Sequence, residues 1–298
     1  MALSTSNLQS YYDVDNKVVG AAILGMQSAD FVNVVQGVKA NMTLNSLAQT
    51  VNLTTATCPS TDTGTTTFGK VALSPVVTNF YTELCQDDLE PYYAKYMKSG
   101  SYNQEIPFSQ FVYEYIAKQY ATEVDKQFWA NSSYGIAKLL QVGSASTTNV
   151  TLTTITASNG YAMVDAVWTG KQAALAMQPC ILYMSASAFD KYLLSVRTAN
   201  LFDPASFVSN ATANYFVHPG SGGRLKVVGI AAMDNLSNTS TMFLTNEDNL
   251  VMGLDSEQDM NSKQVYYSED KDKVVVRIKG KLSTGVYFLN QVVRFATA

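Results

Sequence analysis

Histidine is almost absent from this chain, which holds one, His218, in 298 residues. Serine and cysteine hydrolases need a base beside the nucleophile, and most zinc enzymes need several nitrogen or sulfur ligands. A lone histidine in a loop rich in glycine and proline favours a solvated or core-capping role over catalysis. We therefore expect no catalytic residues, no cofactor and no metal.

Cysteine is also scarce, and its spacing excludes a familiar class of site. The three cysteines, Cys58, Cys85 and Cys180, are far apart and form no CxxC or Cys/His pattern. This excludes a structural zinc site of the usual spacing. An odd, sparse count is typical of a reducing compartment and predicts buried free thiols, with one disulfide as the open alternative.

Charged residues make up only 15% of the chain, against roughly 25% in a typical soluble protein. The net charge is −4, and no dense block of lysine and arginine occurs, which argues against tight nucleic-acid binding. A surface that merely lies against packed nucleic acid stays open. The longest early apolar run, 18–26, is too short for the roughly 20 residues that cross a bilayer, so no membrane contact is expected.

Aromatic residues are abundant, with 18 tyrosines and 13 phenylalanines. Both are favoured where one protein surface meets another. The strongest helix prediction, 107–131, has proline in its first turn and apolar residues recurring at helical spacing. Its long stripe predicts the backbone of a domain. The residues that mark this candidate assembly helix are Pro107, Phe108, Phe111, Tyr115, Phe128 and Trp129.

The N-terminal part reads as an arm followed by an extended segment. Residues 1–45 are polar at first, with short helices predicted within 18–38, and we expect a neighbouring molecule to order them. The Thr-rich stretch 45–70 is long for a passive connection and predicts a protruding β-hairpin or extended loop. A strand over 76–81 and a helix over 82–98 should follow.

The remaining pattern mixes helices and strands, so the predicted fold class is α+β. Ser185 or Ser187 should cap a helix that follows a fully buried strand. The other predicted elements are a strand or link over 147–156, a helix over 158–177, the buried strand 179–184, strands over 225–233, 241–245 and 292–297, and a hairpin of 273–282 with 285–290 joined at Ser283 and Thr284.

Three clusters look like ligand sites but have simpler explanations. Gly220, Gly222 and Gly223 precede a predicted strand, whereas a phosphate cradle needs a helix after its glycines. The acidic run 255–259 lacks the central glycine and terminal glutamate of an EF-hand. The acidic run 87–90 suits the first turn of a helix.

Short motifs spread from about residue 65 to the end stand in a characteristic order. These are Leu84-Cys85-x-x-Asp88-Leu89-Glu90-x-Tyr92, Ile106-Pro107-Phe108, Phe128-Trp129, 135–140, Ile181-Leu182-Tyr183-Met184-Ser185, Pro219-Gly220, 249–255, Val276-Arg277-Ile278 and Gly285-Val286-Tyr287. Together they resemble the major capsid proteins of tailed bacteriophages, which have the Hong Kong 97-like fold. The chain is most similar to the compact versions in phages of Bacteroidetes hosts.

The resemblance implies a division of the chain into the parts of that fold. Residues 1–45 would be the N-arm and 46–78 the extended loop that overlaps the next subunit. Residues 79–143 would form the peripheral domain with its spine helix at 107–131, and 144–255 the axial domain around the symmetry axes. The C-terminal strands, 256–298, would complete these domains.

The resemblance also implies a structural function. The chain would self-assemble into pentamers and hexamers of an icosahedral phage head that encloses double-stranded DNA. Its partners would be copies of itself, portal, scaffolding and possible decoration proteins, and packaged DNA held by weak non-specific contact. It would reside in the virion, and in the host cytoplasm during assembly.

Two other structural functions stay open at this point, and neither is an enzyme. An encapsulin-type nanocompartment shell has the same fold but encloses a protein cargo. A phage tail or adhesion protein is also rich in threonine and asparagine, although that class usually shows repeated β-segments. The long helix at 107–131 argues against the tail or adhesion protein.

Overall fold

The computed structural model describes residues 26–51, 64–85, 108–141, 148–171, 175–201, 215–255, 264–268 and 273–297. These residues form thirteen strands and four α-helices in an α+β arrangement. The strands are β1 (Asn33–Gln36), β2 (Met42–Val51), β3 (Gly64–Leu73), β4 (Val76–Cys85), β5 (Thr148–Leu152), β6 (Cys180–Ser185), β7 (Tyr215–Val217), β8 (Leu225–Ile230), β9 (Met242–Asn246), β10 (Leu250–Leu254), β11 (Gln264–Ser268), β12 (Lys273–Val286) and β13 (Val293–Thr297). The helices are α1 (Phe108–Ala130), α2 (Ile136–Leu139), α3 (Gly160–Thr169) and α4 (Ala186–Thr198).

The first sheet is organised around the long strand β12. Strand β4 pairs with it antiparallel over 273–282. On the other edge of β12, β11 pairs over 273–277 and β10 over 282–286. Strand β1 then adds in parallel to β10 and completes the order β1-β10-β12-β11, with β4 beside β12.

The second sheet has the order β5-β13-β9-β6-β8-β7 and is covered on both faces. Ile181 and Tyr183 of β6 belong to the core that contains α1, whereas Leu182 and Met184 belong to the core that contains α3 and α4. A strand covered on both faces needs apolar residues at every position. This explains the uninterrupted apolar run of β6, every residue of which is buried.

The predicted hairpin is present as a separate two-stranded sheet. Strands β2 and β3 pair antiparallel from Met42 opposite Leu73 to Val51 opposite Gly64. The hairpin therefore begins before residue 46 and returns to the body of the protein at residue 73. Residues 52–63, at its tip, lie outside the described part.

Several other predictions are confirmed. Helix α1 runs over Phe108–Ala130, close to the predicted 107–131. Strand β6 is fully buried, and Ser185 caps α4 by accepting a hydrogen bond from the backbone N–H of Ala188. Helix α3, however, ends at Thr169 and not at residue 177, because Gly170 closes it with a hydrogen bond to the carbonyl of Ala166.

The predicted hairpin at the C-terminal end is wrong. Residues 273–286 form one strand that passes straight through Ser283 and Thr284. Both residues are buried and pair with Gly253 and Met252 of β10. Ser283 and Thr284 are polar, as turn residues often are. Pairing with β4, β10 and β11 nevertheless keeps residues 273–286 extended.

Two N-terminal predictions are also corrected. Residues 82–85 continue β4 and do not begin a helix, since each pairs with β12. Residues 33–36 form the strand β1 where short helices were predicted, and only a 3-10 turn precedes them at Gln27–Asp30. The rest of the predicted helix, 86–98, and residues 18–25 lie outside the described part of the chain.

Candidate functional site

Helix α1 lies across the inner face of the first sheet. Its buried residues Ile116, Tyr120, Val124 and Phe128 recur every four positions and so share one side of the helix. The Tyr120 hydroxyl lies 2.9 Å from Oγ1 of Thr78 in β4 and packs directly over Gly280 of β12. Burial raises the pKa of this phenol, so it acts as a fixed neutral contact between helix and sheet.

The C-terminal end of α1 joins the two sheets through a cluster of aromatic rings. Trp129, which is fully buried, packs edge-on against Phe128 with ring centroids 5.2 Å apart. The same indole is stacked with Phe243 of β9 at 6.2 Å and tilted against Tyr183 of β6 at 5.3 Å. Rings of this size dominate the energetics of a core, so this cluster fixes the helix against the second sheet.

Residues 26–38, here called the N-terminal strap, are bound to this aromatic end. The Trp129 indole donates a 2.6 Å hydrogen bond to Oγ of Ser28, and the Tyr183 hydroxyl donates to the carbonyl of Phe31. The side chain of Gln27 accepts from the backbone N–H of Ala231 at 3.1 Å. Strand β1 then adds to β10, so the strap contacts both sheets.

Asp125 lies beneath the strap and is a buried carboxylic acid. Burial raises its pKa, while hydrogen bonds from the side chain and backbone of Ser28 and the backbone of Gln27 act in the opposite direction and are outweighed. Its Oδ1 atom has no hydrogen-bond partner among the described residues. Hydrogen bonds from the strap therefore offset only part of the cost of burying the charged form of Asp125.

The base of the β2–β3 hairpin is anchored by one leucine in a notch made by two glycines. Leu73 is fully buried with Val38 and Val251. A methyl group added at Gly285 would lie 2.6 Å from Cδ2 of Leu73, and one added at Gly253 would lie 3.5 Å from Cδ1. Glycine is thus required at 285 for Leu73 to seat. We call Gly253 and Gly285 the glycine notch.

His218 is buried and occupies a structural position between two helices and a turn. Its Nδ1 atom lies 3.0 Å from the Tyr192 hydroxyl of α4, and its ring stacks on Tyr161 of α3 at 5.1 Å. Nε2 lies 3.6 Å from Oδ1 of Asp165 and has no hydrogen-bond partner among the described residues. Burial lowers the pKa of His218 more than Asp165 raises it. Of the two roles that the sequence left open, solvated or core-capping, the structure shows the core-capping one.

The buried thiol of Cys180 is poorly suited to act as a nucleophile. Burial raises the pKa of the Cys180 thiol to about 11, so the thiolate is scarce at neutral pH. Cys85 is a half-buried free thiol, and Cys58 lies outside the described residues. In the part of the chain that the structure describes, no group of three or more histidine, cysteine, aspartate or glutamate side chains is placed to hold a metal ion.

To cross a membrane, a helix must be both long and apolar. None of the described helices combines the length and the apolar character that spanning a bilayer requires.

The residues predicted from the sequence to mark the assembly helix have different outcomes. Phe128 and Trp129 are at the centre of the aromatic cluster. The backbone of α1 includes Phe108, Phe111 and Tyr115, but their side chains and the whole of Pro107 lie outside the described part. The acidic residues Asp87, Asp88, Glu90, Glu257 and Asp259 also lie outside it.

Sequence reasoning missed the partners of these residues. Ser28 in the strap, Leu73 at the hairpin base and Gly285 in the glycine notch carry no local signal of their role. A signal existed only for Tyr183 and Phe243, as apolar residues in predicted strands.

Comparison with known proteins identifies the fold. No protein-family model matches the sequence, and no curated protein matches it. A chain of the satellite phage P4 procapsid, whose structure includes the size determination protein, matches with a TM-score of 0.62 and 13% identity over 100% of this chain and 92% of that one. The capsid of a native GTA particle matches with a TM-score of 0.56 and 11% identity over 92% and 90% of the two chains. A virus-like particle from Pyrococcus furiosus matches with a TM-score of 0.55 and 8% identity over 96% and 99%.

The chain therefore has the Hong Kong 97-like capsid fold, as the sequence motifs predicted. The match covers the whole of this chain, including the strap, α1, the hairpin and both sheets.

Proposed function

We propose that this chain is the major shell subunit of a tailed bacteriophage head. It would assemble into pentamers and hexamers of an icosahedral capsid enclosing double-stranded DNA, and it would reside in the virion after assembly in the host cytoplasm. One observation carries the proposal: the structural match spans 100% of this chain and 92% of a chain from a phage procapsid. The similarity to phages of Bacteroidetes hosts is part of the proposal.

The parts of the fold suggest separate roles in assembly. Helix α1 would be the spine of the peripheral domain (79–143), with the second sheet and its helices in the axial domain (144–255). The β2–β3 hairpin would be the extended loop that overlaps the next subunit, and residues 256–298 would complete the domains. The N-arm would be the segment before the strap, because residues 26–38 already bind to their own chain.

The proposed mechanism is assembly and not catalysis. Each subunit would present different surfaces to its neighbours, and such heterologous contacts close into rings when the rotation between subunits closes. Low charge and abundant aromatic residues suit a chain whose surface is largely interface. Portal, scaffolding and decoration proteins would be its other partners, and packaged DNA would contact it only weakly.

An encapsulin-type compartment is the second candidate function. The observation that supports this candidate is the match to a virus-like particle from Pyrococcus furiosus, which covers 96% of this chain. The tail or adhesion alternative predicts repeated β-segments, whereas the described strands form three sheets of different size and order.

Negative-stain electron microscopy of the purified protein, beside a nucleic-acid assay of the native particle, tests the proposal. We expect closed shells from the protein and double-stranded DNA in the native particle. Shells that hold a protein and no DNA would favour the encapsulin-type compartment. A chain that remains monomeric at high concentration, and also when produced with its scaffold and portal proteins, would refute a shell function.

A further inference from the structure

Strand β12 carries a row of cations on the face of the first sheet opposite α1, a face on which Val275 and Ser283 of the same strand are buried. Side chains alternate across a strand, so Lys273, Arg277, Lys279 and Lys281 share one face. The opposite face holds Val276, Ile278 and Leu282, which are buried in the core with α1. The cationic side chains therefore point away from the helix, and Lys273 and Lys281 keep 37% and 31% of their side-chain surface exposed.

The neighbouring strand β4 adds exposed apolar groups to the same face. Val77 pairs with Lys281 and Tyr81 with Arg277, so each lies beside a cation. Val77 is 62% exposed and Tyr81 is 48% exposed, which makes them among the most exposed large hydrophobic residues of the described chain. We call Val77, Tyr81 and the four cations of β12 the basic face.

The charge of the basic face is opposite to that of the rest of the chain. The whole chain has 20 basic and 24 acidic residues. Setting aside the four cations of β12 and the two acids that lie among them, Glu83 and Asp255, leaves 16 basic against 22 acidic residues, so the remainder is net acidic. A molecule that is basic on one face and acidic elsewhere is complementary to other copies of itself in a head-to-tail arrangement.

We propose that the basic face binds an acidic surface of a second copy of this chain. This inference rests on the proposed shell function and names one interface of the shell. The contact is heterologous, since the basic face of one subunit meets a different, acidic surface of the next.

A protein partner fits the basic face better than a DNA backbone does. Two acids already lie among the cations, with Glu83 3.3 Å from Lys273 and Asp255 3.8 Å from Lys281, and they would repel phosphates. Val77 and Tyr81 offer apolar surface, which a protein interface buries and a phosphate backbone does not. Binding to DNA by charge alone needs clustered cations without such acids.

A charge-reversal variant in the full chain tests the inference. We expect Arg277→Glu with Lys279→Glu to weaken self-association at least about tenfold at 20 mM NaCl in sedimentation velocity, because two attractive charges become repulsive. The wild-type chain should itself associate less well at 500 mM NaCl, since salt screens these contacts. The control Lys191→Glu with Arg197→Glu makes the same charge change on helix α4 and should associate like the wild type.

Mixing the variant with the wild type tests the head-to-tail geometry. The reversed variant keeps its acidic surface, so it should bind the basic face of a wild-type subunit but offer none to the next. Small fractions of variant should then reduce the size of wild-type assemblies more than in proportion to their amount. Circular dichroism, and the milder pair Arg277→Gln with Lys279→Gln, separate this effect from misfolding.

Each other outcome contradicts the inference in a distinct way. If the reversed variant assembles like the wild type but loses binding to a 30-base-pair duplex, the basic face contacts DNA instead. If assembly and duplex binding are both unchanged, the face has neither role. If the wild type fails to self-associate even with its scaffold protein, the shell function itself fails, and this inference fails with it.

Discussion

At the scale of single residues, two buried ionisable groups, a carboxylic acid and an imidazole, stand out. Asp125 lies under the strap and His218 lies between α3, α4 and the turn before β8. Each is displaced from its ordinary pKa chiefly by burial, and each has one polar atom without a hydrogen-bond partner among the described residues. Because burial disfavours the charged form of both groups, their effects on stability have opposite dependence on pH.

Replacing Asp125 by asparagine should stabilise the protein at neutral pH. The pKa of Asp125 in the folded state is raised above 3.8. The free energy of unfolding therefore falls as pH rises through this raised pKa, because Asp125 then ionises while it is buried. We expect Asp125→Asn to gain about 1 kcal/mol at pH 7.5 in urea unfolding, with the gain shrinking towards pH 4. A loss of stability that is the same at both pH values would show that the hydrogen bonds to Ser28 and Gln27 outweigh the buried charge.

Replacing His218 by glutamine should remove a loss of stability in mild acid. The folded-state pKa of His218 is lowered below 6.5, so the unfolded chain binds the proton first and stability falls as pH drops below that value. We expect the wild type to lose free energy of unfolding between pH 7.5 and pH 5.5, and His218→Gln to lose less. His218 is the chain's only histidine, which makes the comparison direct.

The buried Asp125 changes the free energy of unfolding with pH in the opposite direction to His218. The wild type and His218→Gln should therefore also be compared in the Asp125→Asn background. Equal pH dependence with and without His218 would contradict the assignment.

At the scale of elements, the base of the hairpin packs against the first sheet through a close contact of Leu73. Leu73 at the end of β3 seats in the glycine notch between β10 and β12. The notch can exist because β12 is one continuous strand that places Gly285 opposite Val251 and Ser283 opposite Gly253. The hairpin is otherwise a separate two-stranded sheet, so its orientation depends on this anchor.

Adding a methyl group at Gly285 should displace the hairpin. The new carbon would lie 2.6 Å from Leu73 and 3.2 Å from Val71, so the β3 end must move. We expect Gly285→Ala to lower the free energy of unfolding by about 1–3 kcal/mol and to increase hydrogen exchange in β2 and β3. Gly220→Ala, whose nearest atoms are 3.4 Å away, is the matched control and should change little.

The double variant Leu73→Ala with Gly285→Ala distinguishes this clash from a general effect of alanine. Removing the leucine side chain makes room for the methyl group, so the two costs should not add. Full additivity would show that Leu73 is not what the methyl group meets.

The elements that were predictable share a property. Helix α1 and strand β6 were predictable because each has a clear pattern within its own segment. The pattern is a helical stripe of apolar residues in α1 and a continuous apolar run in β6. The end of β4 and the C-terminal part of β12 were mispredicted, since their conformation is set by strands that are distant in sequence. Ser283 and Thr284 are polar like turn residues, yet both are buried, and their hydroxyls donate hydrogen bonds to the carbonyls of Gly253 and Tyr134.

At the scale of the whole molecule, the N-terminal strap connects parts that are far apart in sequence. Its contacts reach Trp129, Tyr183, Ala231 and Leu254, on α1 and on both sheets. Residues 1–45 were predicted as one arm. The portion from Met26 to Val38 instead packs against the rest of its own chain, and Met26 and Val38 are both buried. The part of the arm that could serve a neighbouring subunit is therefore the portion before the strap.

Two truncations should separate these parts. Deleting residues 1–25 should impair assembly into shells, because that segment is the proposed N-arm. Deleting residues 1–38 should lower the free energy of unfolding by several kcal/mol, since it exposes Trp129 and removes β1. Thermal melts and electron microscopy of both proteins check this. Equal melting temperatures for the two truncations would contradict the role of the strap.

The sequence by itself determined that the chain mixes helices and strands, that α1 is a long helix, that 45–70 is a hairpin or an extended loop and that His218 is either solvated or caps a core. Its ordered motifs also predicted the Hong Kong 97-like fold. The secondary-structure features follow from local periodicity, residue type and spacing, whereas the fold was inferred from the resemblance of the ordered motifs to known capsid proteins. Only the tertiary structure decided that the strap binds Trp129, that β12 is continuous, that Leu73 seats against Gly285 and that the cations of β12 share a face with Val77 and Tyr81. Pairing between distant strands decides these points, because free energy from long-range contacts overrides local preference.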